Sequence, residues 1–122
     1  MIGYITIGTD DISRAAAFYD ELLASVNARR VMDFGTFILW GNKPGGCGLA
    51  ITKPHDGNPA TVGNGVMPAI MAESTAQVDE VYSRAIELGA IDEGAAGPRS
   101  EGFYAGYFRD LDGNKLCVYF TS

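Results

Sequence analysis

Polar and apolar residues alternate most clearly near the end of the chain. Residues 104–109 and 115–120 are two β-rich runs around the polar turn Asp110-Leu111-Asp112-Gly113-Asn114. Asp112-Gly113 predicts a hairpin, because glycine takes a positive φ without steric cost. In the second run Leu116, Val118 and Phe120 share one face, and Cys117 and Tyr119 share the other. The first face suits a packed core and the second the wall of a ligand cavity. At the other end, residues 3–9 also alternate. Ile5 and Ile7 point one way, while Tyr4, Thr6 and Gly8 point the other. Spacing then changes to threes and fours: Ala15, Phe18, Tyr19, Leu22, Leu23 and Val26 form the apolar stripe of a helix, capped by Asp10-Asp11.

Strands are expected at 29–32, 34–40 and 47–53, then a loop at 54–65 rich in Pro, Gly and Asn. The pattern restarts with a strand at 66–72. A second helix follows, headed by Ser74 with Gln77 as its capping-box partner. Its stripe is Val78, Val81, Tyr82, Ala85 and Ile86, and Gly89 ends it. Residues 94–102 are expected to be a loop leading back to the hairpin.

A shift of 63 residues lays Ile7 on Ile70, Asp11 on Ser74, Tyr19 on Tyr82 and Leu23 on Ile86. It also lays Tyr4 on Met67. The expected fold class is α+β: one domain, 1–122, of two tandem βαβββ modules, about 1–58 and 59–122. Each supplies an antiparallel or mixed sheet with a helix on its outer face, and the sheets curve around a shared cleft. Strand parity assigns Ile5, Ile7, Pro68, Ile70, Leu116, Val118 and Phe120 to the helix side. It assigns Tyr4, Thr6, Met67, Ala69, Met71, Cys117 and Tyr119 to the cleft.

Charge narrows the partners. The net charge of −6 over 122 residues gives no electrostatic footprint for nucleic acid or an anionic membrane, and neither is expected. No apolar run approaches membrane-spanning length. Met1-Ile2-Gly3-Tyr4 reads as the start of a strand, not of a signal peptide. Cys47 and Cys117 have no closely spaced partner, which argues against a disulfide framework and fits a reducing cytoplasm.

Three stretches, residues 2–23, 63–90 and 104–120, resemble the vicinal oxygen chelate superfamily: glyoxalase I, bleomycin-resistance proteins and extradiol dioxygenases. The most specific phrases are Ala17-Phe18-Tyr19-Asp20 and Arg109-Asp110-Leu111-Asp112-Gly113-Asn114-Lys115. The resemblance implies paired βαβββ modules and, frequently, a homodimer. Catalytic members hold a divalent metal by His, Glu or Gln on module strands. At three of those positions this chain has Tyr4, Met67 and Cys117, and residues 47–53, expected to bear the fourth ligand, contain no His, Glu or Gln. A phenol, a thioether and a thiol do not replace imidazole and carboxylate around such a metal. No cofactor or metal site is therefore expected. The only histidine, His55, lies in the inter-module loop and reads as solvent-facing.

The expected ligand-binding residues are Tyr4, Thr6, Trp40, Met67, Met71, Arg99, Tyr104, Cys117 and Tyr119. Tyr4 and Tyr119 offer hydroxyls from the cleft wall or are ordinary amphipathic packing. Cys117 is a nucleophile only if a base or cation lowers its pKa; otherwise it is an inert buried thiol. Met67 and Met71 form an adaptable apolar floor or plain core. Trp40 is open to stacking on a planar ligand, to a dimer interface or to the core. Arg99 is a clamp for an anionic group or a solvated surface residue. Arg109 reads as a turn-stabilising partner of Asp110. The favoured function is metal-free binding of a small, partly aromatic organic molecule in the inter-module cleft. A glyoxalase-like lyase or isomerase, or a ring-cleaving dioxygenase, is the alternative; a structural module with a filled cleft is the second. No catalytic residue is assigned.

Overall fold

The computed structural model describes residues 1–122. The chain divides into two compact units, Met1–Val62 and Gly63–Ser122. The first contains β1 (Tyr4–Gly8), α1 (Ile12–Ala24), β2 (Arg29–Asp33), β3 (Phe37–Gly41) and β4 (Gly48–Thr52). The second contains β5 (Ala69–Met71), α2 (Thr75–Glu87), β6 (Ile91–Ser100), β7 (Phe103–Arg109) and β8 (Lys115–Thr121). The fold is α+β. Each unit is a βαβββ module with a four-stranded mixed sheet, ordered β1-β4-β3-β2 in one and β5-β8-β7-β6 in the other. The one parallel pairing in each sheet joins the first strand to the last, β1 to β4 and β5 to β8. All other pairings are antiparallel.

The helices begin where the caps predict. Asp11 accepts the Arg14 backbone N–H at 3.0 Å, and Ser74 accepts that of Gln77 at 3.1 Å. Each cap satisfies a donor the first helical turn leaves open, worth about 1 kcal/mol. The Gln77 side chain accepts the backbone N–H of Glu73 at 2.7 Å, one residue earlier than a capping box requires. Gly89, with φ of 103°, follows α2 and allows the chain to turn out of the helix.

In the first unit Ala15, Phe18, Tyr19, Leu22 and Leu23 of α1 are buried, as are Ile7, Ile38, Trp40 and Ile51 on the sheet. In the second, Val78, Val81 and Ala85 of α2 are buried with Phe108, Leu116 and Val118. Gly106 lets α2 approach closely, since a Cβ there would lie 2.9 Å from Cδ1 of Tyr82.

Two expectations about local structure need correction. Residues 94–102 are not simply a loop, because β6 runs from Ile91 to Ser100. Glycine, alanine and Pro98 are accommodated because β6 is an edge strand whose pairing with β7 shifts register three times. The strand expected at 66–72 is only three residues long, Ala69–Met71, and is also an edge; Pro68, without an N–H, precedes it. No helix is long and apolar enough to cross a membrane.

Candidate functional site

Each sheet has one face under its helix and one open face. In the first unit, cross-strand register puts Tyr4, Thr6, Ala50, Phe37 and Leu39 on the open side. Tyr4 is 54% exposed, and its ring meets Phe37 edge-on, with centroids 5.8 Å apart. Phe34 lies 6.2 Å from Phe37. A hollow of about 450 Å³ lies along β2, β3 and the glycine-rich turn after β3; its lining includes Arg29, Val31, Leu39, Trp40 and Lys43, but not Tyr4, Phe34 or Phe37.

Trp40 has the opposite parity. It is 1% exposed and packs 5.9 Å from Tyr19 of α1. Its Nε1–H donates to Asp20 Oδ1 at 3.0 Å. Asp20 also accepts both Nε and Nη2 of Arg30, at 2.9 and 2.7 Å, and the guanidinium lies 5.7 Å from the Trp40 ring centroid. The hydrogen bond from Arg30 holds the Asp20 carboxyl below its ordinary value, despite partial burial. Of the three placements open to Trp40, its own helix–sheet core is the one observed. An indole held this way is not presented for stacking on a ligand.

In the second unit, Ala69, Cys117 and Tyr107 lie side by side across the open face, with Met71, Tyr119 and Ala105 in the adjoining row. Met71 is 65% exposed. Tyr119 packs 5.8 Å from Phe103. Met67 precedes β5 and is partly exposed. The Arg99 guanidinium lies 5.3 Å from the Tyr107 centroid, and Lys115 Nζ lies 5.7 Å from it. Both cations favour the Cys117 thiolate, but burial outweighs them. The thiol is 2% exposed, and burial pushes its pKa up against the opposing pull of the Tyr107 hydroxyl and the Arg99 and Lys115 charges. A protonated buried thiol is a poor nucleophile.

Tyr104 was expected among the ligand-binding residues, and its placement corrects that. It has the parity of Phe108, facing α2, and its hydroxyl donates to Asp79 at 2.7 Å. Tyr82 of α2 makes the reciprocal type of bond to Asp92 of β6, also at 2.7 Å. Arg109 is likewise not the partner of Asp110. It pairs with Glu93 and donates through Nη1 to the Gly113 carbonyl at 3.1 Å. The turn is instead organised by Asp110, which accepts the N–H groups of Asp112 and Asn114, each at 2.9 Å, and the Asn114 amide at 3.0 Å.

Sequence reasoning missed Tyr107. Its parity with Cys117 was available once the hairpin was registered, but the cation-bearing strand beside it had been read as a loop.

The fold and these faces define a class: paired βαβββ modules whose sheets each leave one face uncovered. A sequence profile of the Glyoxalase/Bleomycin resistance protein/Dioxygenase superfamily matches residues 1–118, and the chain belongs to that superfamily. A glyoxalase/bleomycin resistance protein from Albidiferax ferrireducens T118 is 31% identical, with a TM-score of 0.87 over 98% of this chain and 97% of that one. The lactoylglutathione lyase of Agrobacterium tumefaciens is 25% identical, with a TM-score of 0.71 over 98% and 92%. A glyoxalase-related enzyme from Fulvimarina pelagi, 22% identical with a TM-score of 0.77 over 99% and 88%, shares the fold. Among curated proteins, none matches the chain.

The superfamily implies a divalent metal in its catalytic members, and the donor chemistry here does not fit one. No three His, Cys, Asp or Glu side chains are grouped to hold an ion. The residues at the corresponding positions are an exposed phenol, a thioether and a thiol whose proton is held more firmly by burial.

Proposed function

We infer that this protein binds a small, partly aromatic organic molecule without a metal, on the open faces of its sheets. What supports this reading is that Tyr4, Met67 and Cys117 stand where the resemblance expects metal ligands, and that the large apolar side chains Tyr4, Phe34 and Met71 are exposed. Exposed apolar groups of this size mark binding surfaces more often than they mark packing errors. The hollow of about 450 Å³ in the first unit supports the same reading, since pockets for small molecules span roughly 300–1,000 Å³.

Lyase and dioxygenase chemistry in this superfamily rests on donors that this chain lacks, and we assign no catalytic residue. We extend the proposal to a cytoplasmic homodimer. The free thiols Cys47 and Cys117 favour the location. The exposed Val31, Met32 and Phe34 at the β2 edge favour the association.

Thermal-shift measurements with a panel of aryl alcohols, amides and acids, with and without EDTA, test the central reading. Stabilisation by an organic compound that EDTA leaves unchanged is the expected result. Stabilisation by Zn²⁺, Ni²⁺ or Mn²⁺ alone, with no response to any organic compound, would overturn it. Trp40 fluorescence is a poor reporter for this purpose, because the indole is enclosed between α1 and its sheet.

A further inference from the structure

The open face of the second unit places two cations against one phenol ring. Arg99 and Lys115 lie 5.3 and 5.7 Å from the Tyr107 centroid. No carboxylate pairs with either. On this sheet Glu93 is taken by Arg109, and Asp79 and Asp92 are engaged by tyrosine hydroxyls on the helix side. In a chain of net charge −6, two cations gathered at one ring without an acid partner offer a bound anion a favourable charge.

Arg99 is held in place rather than loosely solvated. Its Nη2 donates to the Ala95 carbonyl at 2.5 Å, and Nη1 is directed to the Gly97 and Pro98 carbonyls at 3.3 and 3.4 Å. Glycine makes the fold-back possible. A Cβ at Gly94 would lie 3.1 Å from Cδ2 of Tyr107 and 3.3 Å from Nη2 of Arg99. Its φ of 155° also disfavours a side chain. The Nε–H of Arg99 and the three N–H groups of Lys115 Nζ have no acceptor within the chain. A guanidinium fixed by its own backbone has already lost much of the entropy that binding an oxyanion would otherwise cost.

The next row of the face is apolar: Met71, Tyr119 and Ala105. It lies two residues along the strand from the Tyr107 row, about 7 Å away at the rise of an extended chain. That spacing suits an acidic group joined to an aromatic ring.

We propose that Arg99 and Lys115 form an oxyanion-recognition site, and that the ligand of this protein is a small aryl carboxylate whose acid group sits at these cations and whose ring lies over Met71 and Tyr119. This rests on the reading of the open faces as ligand-binding surfaces and adds the ligand's charge and orientation.

The test is isothermal titration of the full chain with 2-naphthoate and its neutral isostere 2-naphthamide at low and moderate salt. Naphthoate should bind about tenfold more tightly than the amide, the effect of one charge-assisted hydrogen bond of about 1.4 kcal/mol. Arg99→Gln and Lys115→Gln should each remove most of that preference, weakening naphthoate far more than naphthamide. Arg99→Lys should restore part of it. Equal affinity for acid and amide, or equal weakening of both by the substitutions, would overturn the oxyanion site while leaving the ligand-binding reading intact. Binding of neither compound would count against both.

Discussion

The two modules share a plan but distribute their polar groups in opposite ways. The first keeps its ion pairs at the edge of the helix-covered side, where Asp20 gathers Arg30 and the Trp40 indole, and leaves its open face to Tyr4, Phe37 and Leu39. The second puts phenol–carboxylate bonds on the helix side, Tyr104 to Asp79 and Tyr82 to Asp92, and turns Arg99 and Lys115 to the open face. Both solutions keep the backbone architecture intact, because strand parity separates the two faces chemically. The two modules therefore share their covered faces as scaffold and differ on their open faces.

The contrast between covered and open faces gives the largest expected effect. Trp40→Ala and Phe108→Ala should each cost about 3–5 kcal/mol in chemical denaturation, because each empties a fully packed site. Tyr4→Ala and Met71→Ala should stay within about 1 kcal/mol. Comparable losses at all four positions would mean that the open faces are structural.

Next in size is Asp110→Ala. It removes the acceptor for three hydrogen bonds in the buried turn, and about 2–3 kcal/mol of stability should go with it. Gly106→Ala tests a feature of the second module, the close approach of α2. Its new Cβ must displace the Tyr82 ring, so a loss of about 1–2 kcal/mol is expected, with the Tyr82–Asp92 bond disturbed.

The smallest effect separates the two modules by pH. Asp20 has a folded pKa depressed chiefly by the Arg30 hydrogen bond, so its stabilisation is present above the ordinary Asp value of 3.8. That stabilisation is lost as pH falls through the lower folded value. Asp20→Asn should flatten this part of the acid-unfolding curve. Asp92 is depressed in the same direction, chiefly by Tyr82, so Tyr82→Phe should flatten a further part of it. An acid limb unchanged by either substitution would show that these pairs contribute nothing measurable, as exposed pairs often do.

Much of the architecture was legible because burial imposes periodicity. α1 and α2 begin at Ile12 and Thr75, reproducing the 63-residue repeat; the α1 stripe is buried throughout, whereas in α2 Val78, Val81 and Ala85 are buried, Tyr82 is half-buried and Ile86 is exposed. The hairpin was legible from alternation and from Asp112-Gly113. What escaped was edge structure. β6 needs no apolar alternation, because a bulged edge strand gains its order from backbone bonds to β7. Missing it hid the setting of Arg99, whose position over Tyr107 depends on where β6 bulges. Tyr104 was misplaced for a related reason, since closeness in sequence to Arg99 was allowed to outweigh its strand parity. Trp40 could have been assigned to the covered side by counting two residues from Ile38. The partner that fixes it, Asp20, lies on α1, and no local pattern announces that contact.

The most direct test of metal-independent ligand binding is calorimetric titration of 2-naphthoate into protein stripped with EDTA, repeated after adding back Zn²⁺, Ni²⁺ or Mn²⁺. The account expects the same affinity in every case. Binding heat that appears only after a divalent ion is restored would contradict it.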